Sequence, residues 1–199
     1  MSIFRKDITT ASDEELVQWL GSKRSNEALT LLHARYSKKV LGFFTRMFQG
    51  DIDKAQDFTQ DVFIRILEKQ YLFDPSKKFQ PWLFSIASNM GKTSFRKSQE
   101  VPLSQEEYEV KTRVDWSESN LDKEVFHAAL KQAIDQLQVH HRLTFVLRYM
   151  QELGLAEIAE ITDVSEGTVK SRLFYATKKV AQKLEEFNPK SEGILFKIQ

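Results

Sequence analysis

Residues Asp53 to Gln70 read DKAQDFTQDVFIRILEKQ, and their helical wheel has two working faces. At about 100° per residue, Ala55, Phe58, Val62 and Ile66 fall on one side, with Phe63 and Leu67 at its edge, a stripe suited to burial. The opposite side collects Asp57, Gln60, Asp61 and Glu68, with Arg65 at the margin and Ile64 in the middle. An exposed isoleucine is ordinary by itself. Ringed by carboxylates on a rigid helix, it has the anatomy of a docking site: a small apolar anchor with a charged rim that selects a basic partner. A solvated face carrying one misplaced apolar residue fits the same wheel, and the wheel alone leaves both readings open.

Composition narrows the fold around this helix. Only four prolines and seven glycines among 199 residues leave little room for a turn-rich β architecture, and runs of Leu, Ala, Glu, Lys and Gln read as helix. The sequence therefore predicts an all-α protein of two small helical domains. With no cysteine, a disulfide framework and a thiolate metal site are both excluded. The start, MSIFRKDITTASDEE, has no apolar signal segment, and no run approaches the length of a membrane span, so no membrane insertion and a cytoplasmic location are expected.

The near-neutral net charge of +1 hides a segregation. Between Ser76 and Ser98 stand five cations (Lys77, Lys78, Lys92, Arg96 and Lys97) and no acid. From Gln99 to Glu124, eight acids face three cations. From Ser165 to Lys183, five cations (Lys170, Arg172, Lys178, Lys179 and Lys183) face Glu166 alone. Two basic modules flanking an acidic strip suggest a polyanionic partner touched at two places.

Upstream of the two-faced helix, Ser12 followed by Asp13, Glu14 and Glu15 marks a capped helix start. A second helix is predicted from about Asn26 to Gln49, with Leu31, Leu32, Tyr36, Val40, Phe43 and Phe44 on its apolar stripe; Gly50 and Asp51 end it. Downstream, LFDPSKKFQ reads as a loop because Pro75 forces Asp74 out of helical geometry. The next helix, PWLFSIASNMGKTSFRK, carries Pro81 in its first turn, where proline is tolerated. Aromatic rings interleaved with cations suit single-stranded DNA, rings stacking on bases while cations follow phosphates. Phe79, read as part of the loop, is the aromatic expected to contact such a ligand; most of the others read as core.

Periodicity fails from Ser98 to about Asp122, a Glu- and Ser-rich stretch containing Pro102 that reads as a flexible acidic linker. Roughly 25 flexible residues have a mean reach near 30 Å and stretch to roughly 85 Å, so the two modules need not touch. Beyond it, LAEIAEITDVSEGTVKSRLFYATKKV has the spacing of a helix-turn-helix: Ile158 and Ala159 inside, Thr162 to Val164 in the turn, Ser165 as cap, and Val169, Leu173, Ala176 and Val180 facing inward. The opposite face presents Thr168, Ser171, Arg172, Tyr175, Lys178 and Lys179, an outfit for a helix in a major groove. Asp163 occupies the turn position often held by glycine, which weakens the match slightly.

Nothing points to catalysis, to a metal site or to a cofactor. His33, His127, His140 and His141 are scattered, with the adjacent pair expected on different sides of its helix, and there is no Gly-rich phosphate loop. Two rivals stay open: a free-standing helix-turn-helix regulator, and a metal-dependent phosphodiesterase using Asp57 and Asp61.

DKAQDFTQDVFIRIL, FQPWLFSIASNMGKTSFRK, the acidic connector and LAEIAEITDVSEGTVKSRL resemble, in order and spacing, the successive blocks of the extracytoplasmic-function (ECF) sigma factors of bacterial RNA polymerase. The likeness spans about Leu16 to Phe187. It implies a region 2 domain over 1–97, a linker over 98–122, a region 4 domain over 123–187 and a tail over 188–199. Core polymerase, through its β′ coiled coil and β flap, promoter DNA and an anti-sigma factor are the implied partners. The implied polymerase contacts are Asp57, Gln60, Asp61, Ile64 and Arg65. Those to the single-stranded -10 element are Lys77, Lys78, Phe79, Trp82, Asn89 and Arg96. Those to the duplex -35 element are Thr168, Lys170, Ser171, Arg172, Tyr175 and Lys178, with the Arg172 fork matched to guanine and Lys170 and Lys178 to phosphates. Thr93 stands where many relatives carry aspartate, and Tyr175 where many carry arginine. The apolar run in the tail NPKSEGILFKIQ has no assigned role.

Overall fold

A computed structural model describes residues 8–100 and 118–187, with side chains described for 8–95 and 125–184. Among these residues there are eight α-helices and no strand: α1 (Asp13–Trp19), α2 (Ser25–Met47), α3 (Ile52–Lys69), α4 (Phe79–Glu100), α5 (Glu118–Asp135), α6 (Val139–Tyr149), α7 (Leu155–Thr162) and α8 (Glu166–Phe187). The all-α expectation holds.

Local chemistry sets the helix ends. The Ser12 side chain accepts from the Glu15 N–H while the Glu15 carboxylate accepts from the Ser12 N–H, a reciprocal box that starts α1. Arg35 of α2 then ties this end down, donating to Asp13 at 2.6 Å and to the Ala11 carbonyl at 3.0 Å, while the Tyr36 hydroxyl donates to the same aspartate. At the end of α2 the chain turns through left-handed Gln49 (φ 56°) and Gly50 (φ 97°), and the Gly50 N–H donates to the Thr45 carbonyl at 2.8 Å. Asp51 caps α3 by accepting from the Lys54 N–H at 3.0 Å.

The first module is built on α2, which packs along α3 and is flanked by α1 and α4. Phe43, Phe44, Phe79, Phe84, Leu16, Leu32, Ile66 and Leu83 are fully buried in it, each side chain contributing about 1.5–3 kcal/mol of transfer from water. In the second module α5, α6 and α7 surround α8, around Ile134, Leu147, Ile158, Val169, Ala176 and Val180.

Three expectations need correction. Phe79 is the first residue of α4 and is fully buried, edge-on to Tyr36 with ring centroids 5.1 Å apart. The helix begins two residues ahead of Pro81, drawing that ring into the core, so it is not a surface aromatic. The stretch 98–122 is helical at both ends, because α4 continues to Glu100 and α5 begins at Glu118. Ser, Gln and Glu extend an existing helix at small cost; 101–117 and the tail 188–199 lie outside the described residues. Finally, the His140 and His141 rings are not splayed apart but lie 4.2 Å from each other. The modules, which the sequence leaves free to lie apart, are in contact: α4 meets α7, and α2 meets α5 and α6.

Candidate functional site

On α3, burial follows the wheel except at two residues of the predicted stripe, Leu67, which is exposed, and Phe58, which is half-buried. Ala55, Val62 and Ile66 are fully buried, Phe63 nearly so, and Asp57, Gln60, Asp61, Arg65 and Glu68 are exposed. Ile64 is 53% exposed, so an apolar anchor does stand among carboxylates. The stripe is longer than the wheel suggests. Leu67, Tyr71 and Leu72 are exposed as well, Tyr71 at 77%, and Ile64, Leu67 and Tyr71 follow the i, i+3, i+7 spacing of one helix face. Leu67 at the edge of the wheel is the signal that finds this extension; Tyr71 lies past the end of α3, in a single 3-10 turn.

Around the start of α4, Lys77 and Lys78 are exposed, Trp82 is half-buried and Asn89 is exposed. The loop is shaped by Asp74, whose carboxylate accepts from the Ser76 N–H at 2.9 Å and hydroxyl at 2.8 Å. Those bonds, with the nearby Lys77 charge, hold its carboxyl below the usual range. Thr93 donates to the Asn89 carbonyl at 2.9 Å within the helix. Asn89 and Thr93 line a groove between α3 and α4, shared with Asp61 and Arg65. The Arg96 side chain lies outside the described residues.

The helix-turn-helix is formed as its spacing predicts. Asp163 ends α7 in the left-handed region (φ 57°, ψ 53°), and the Val164 N–H donates to the Ala159 carbonyl at 3.1 Å. Aspartate thus takes the conformation that glycine adopts more cheaply. Ser165 caps α8, its hydroxyl accepting from the Thr168 N–H at 3.2 Å. Val169, Ala176 and Val180 are fully buried and Leu173 nearly so. Lys170, Ser171, Tyr175 and Lys178 are exposed, while Thr168 and Arg172 are half-buried. Thr168 contacts the Ser165 hydroxyl at 3.0 Å, which spends part of its bonding capacity at the cap.

Three residues beside this face escape the sequence reading. Phe174 is 53% exposed next to Tyr175, and the His141 ring lies 6.2 Å from the Tyr175 ring. Burial, and secondarily the Arg172 charge, push the His140 imidazole below its ordinary 6.5; burial, His140, Arg172 and Lys179 do the same to His141. Among the described residues no group of three or more potential metal ligands occurs, and no helix is long and apolar enough to cross a membrane.

Two family models match this chain in this order: Sigma-70 region 2 over residues 32–101 and Sigma-70 region 4 over residues 127–180. Two such regions define a sigma factor, and the chain belongs to the sigma-70 family. Its relatives place it in the ECF group. The RNA polymerase sigma-H factor of Pseudomonas aeruginosa is 28% identical, with 89% of this chain and 96% of the relative covered. The ECF RNA polymerase sigma-E factor of Haemophilus influenzae is 29% identical, over 87% and 96%. SigW of Bacillus subtilis, also named an ECF sigma factor, is 29% identical over 76% and 86%. The fold is shared with CnrH, solved with the cytosolic domain of CnrY, at a TM-score of 0.66, 21% identity and coverage of 88% and 99%. RpoE of Bartonella quintana, solved with the anti-sigma factor NepR, gives a TM-score of 0.61 at 21% identity, over 82% and 98%. The protein is an alternative sigma factor that directs promoter-specific transcription, and the region 2 match removes the free-standing regulator as a rival.

Proposed function

We propose that the chain binds core RNA polymerase through the exposed face of α3 and reads a promoter at two elements, the -10 as single strand and the -35 as duplex. The observation that carries this reading is Ile64, 53% exposed on a helix whose opposite face is core. Asp57, Gln60, Asp61 and Arg65 form its rim, and Leu67 and Tyr71 extend its apolar stripe toward the β′ coiled coil. The β flap is the expected seat of the second module. Lys77 and Lys78 follow the phosphates of the opened -10 strand, while Trp82 and Asn89, with Arg96 along the same helix, meet its bases. Phe79 supports the loop from within the core and makes no such contact.

At the -35 element, α8 lies in the major groove with the Arg172 fork on a guanine edge, Thr168, Ser171 and Tyr175 beside it, and Lys170 and Lys178 on phosphates. Thr93 and Tyr175, which replace residues common in relatives, tune which promoter is read. The chain works without chemistry of its own and in the bacterial cytoplasm. An anti-sigma factor is its expected inhibitor, in line with the partner named for RpoE.

Transcription in vitro with core polymerase on a pool of genomic fragments tests the proposal. Discrete start sites that require both the chain and core enzyme are expected; tight, specific duplex binding by the chain alone, unchanged by core, would refute it.

A further inference from the structure

We propose that the first turn of α6 is a further part of the -35 grip: His140 binds a backbone phosphate and takes up a proton as it does so, which makes promoter binding tighten as pH falls. This rests on the -35 reading above and deepens it. His140 and His141 stand in the first turn of α6, which packs along α8. Their rings lie 4.2 Å apart, and the His141 ring lies 6.2 Å from that of Tyr175. His140 is exposed and His141 half-buried, so the pair reaches the surface beside residues already assigned to DNA.

The buried residues Val169, Leu173, Ala176 and Val180 fix how α8 is turned. At about 100° per residue, Arg172 and Lys179 then fall on one edge of its outer face and Lys170 on the other. The histidines continue the first edge, since Arg172 and Lys179 are the cations that bear on His141. One helix of about 10–12 Å diameter fills a major groove about 12 Å wide. An element packed about 8–10 Å to its side therefore meets the groove wall, where the phosphates run. Lys170 serves one wall and His140 the other. Lys179, whose Nζ donates to the Gln136 carbonyl at 3.2 Å, is held on the same side. The first turn of α6 carries no acid, and its N-cap, Gln138, makes no side-chain bond to it, so this end of the helix favours an anion.

In the free chain the rings face cations. Arg172 bears on both and Lys179 on His141; among the described residues no charged group of α2, α5 or α7 bears on either. Burial first, and then these cations, hold both imidazoles below their ordinary value. A phosphate reverses that field. It offsets Arg172 and supplies an acceptor, so the charged imidazole becomes the favoured form and draws its proton from solvent. Two rings this close disfavour a second proton. His140, more exposed and facing fewer cations, carries the first, and neutral His141 braces it against Tyr175. Because the complex holds one proton more than the free chain, affinity rises as pH drops through the imidazole range. Acid acts on the fold in the opposite sense, since burying neutral imidazoles is what it opposes, so partial unfolding cannot mimic the effect.

The test titrates the full chain, assembled with core polymerase, onto a duplex carrying one promoter recovered from the transcription pool, between about pH 8 and about pH 6. Over that interval the wild type should tighten by roughly three- to tenfold relative to a His140→Gln/His141→Gln variant, a ratio in which titration of the polymerase itself cancels. At the lower pH its plot of log affinity against log salt should be steeper than the variant's by about one, as one added phosphate contact requires. A His140→Lys variant, charged throughout, should bind at the higher pH about as tightly as the wild type does at the lower. One shared pH profile for the wild type and the glutamine variant, equal salt slopes at the lower pH, or a lysine variant no tighter than the wild type at the higher pH would overturn the histidine contact. Arg172→Ala run alongside separates the two failures. If it loses -35 discrimination, the -35 reading stands whatever the histidines do; if discrimination is unchanged, that reading falls and takes the histidine contact with it.

Discussion

Ile64 carries one consequence that a single substitution reads. With 53% of its surface exposed, Ile64→Glu should leave the melting temperature unchanged while core binding weakens by about 2 kcal/mol, the loss expected for an interface anchor; wild-type affinity in a pull-down would contradict this. Arg172→Ala should cost about 1–3 kcal/mol of discrimination at one -35 position, seen as equal transcription from promoters that differ there. Both residues are legible in the sequence because helix periodicity alone assigns each to a face. Phe79 is not. Its fate depends on a helix boundary two residues from the predicted one and on Tyr36, a distant partner in the chain that receives its edge. A rule that reads the residue before proline as extended has no means of seeing that contact.

Among the elements, the helix-turn-helix is the most legible, since its cap, turn and inward residues are all local. What the spacing hides is the neighbour that α6 brings to it. His140 and His141 pack together near Arg172, and burial holds both imidazoles below 6.5. Because the unfolded chain takes up protons at pH values where these folded imidazoles remain neutral, stability should be complete above 6.5 and fall as pH drops through 6.5. Thermal melts between about pH 8 and 5.5 test this, and a His140→Gln/His141→Gln variant should flatten the profile near the imidazole range. The turn between α2 and α3 makes a second test. Gly50 has φ 97°, and a Cβ there would meet the Lys131 Nζ at 3.1 Å. Gly50→Ala should therefore cost about 1–3 kcal/mol in urea unfolding.

For the whole molecule, the sequence shows two basic modules and an acidic connector but not the contact between them, because the groups that meet are far apart in the chain and half of them are main-chain atoms. Arg142 is the clearest case. It is a cation on α6, yet it is 5% exposed and donates to the Met47 and Leu137 carbonyls at 3.0 and 3.1 Å. Arg142→Ala should lower unfolding stability by about 2–3 kcal/mol, the range for hydrogen bonds from a charged donor plus acceptors left dry; a loss below half of that in urea denaturation would mean that water replaces the guanidinium readily. Most of the seam shares this chemistry: side chains of Gln49, Gln80, Lys92 and Arg142 give, and peptide carbonyls receive. A carbonyl is present whatever residue is encoded there, so random substitution on the receiving side can shift the fit but cannot delete the acceptor. Heritable adjustment of these contacts is thereby concentrated in a handful of codons for long, flexible donors. Drift elsewhere on the receiving surface, Glu157 and Glu160 apart, leaves the acceptors of these four donors in place.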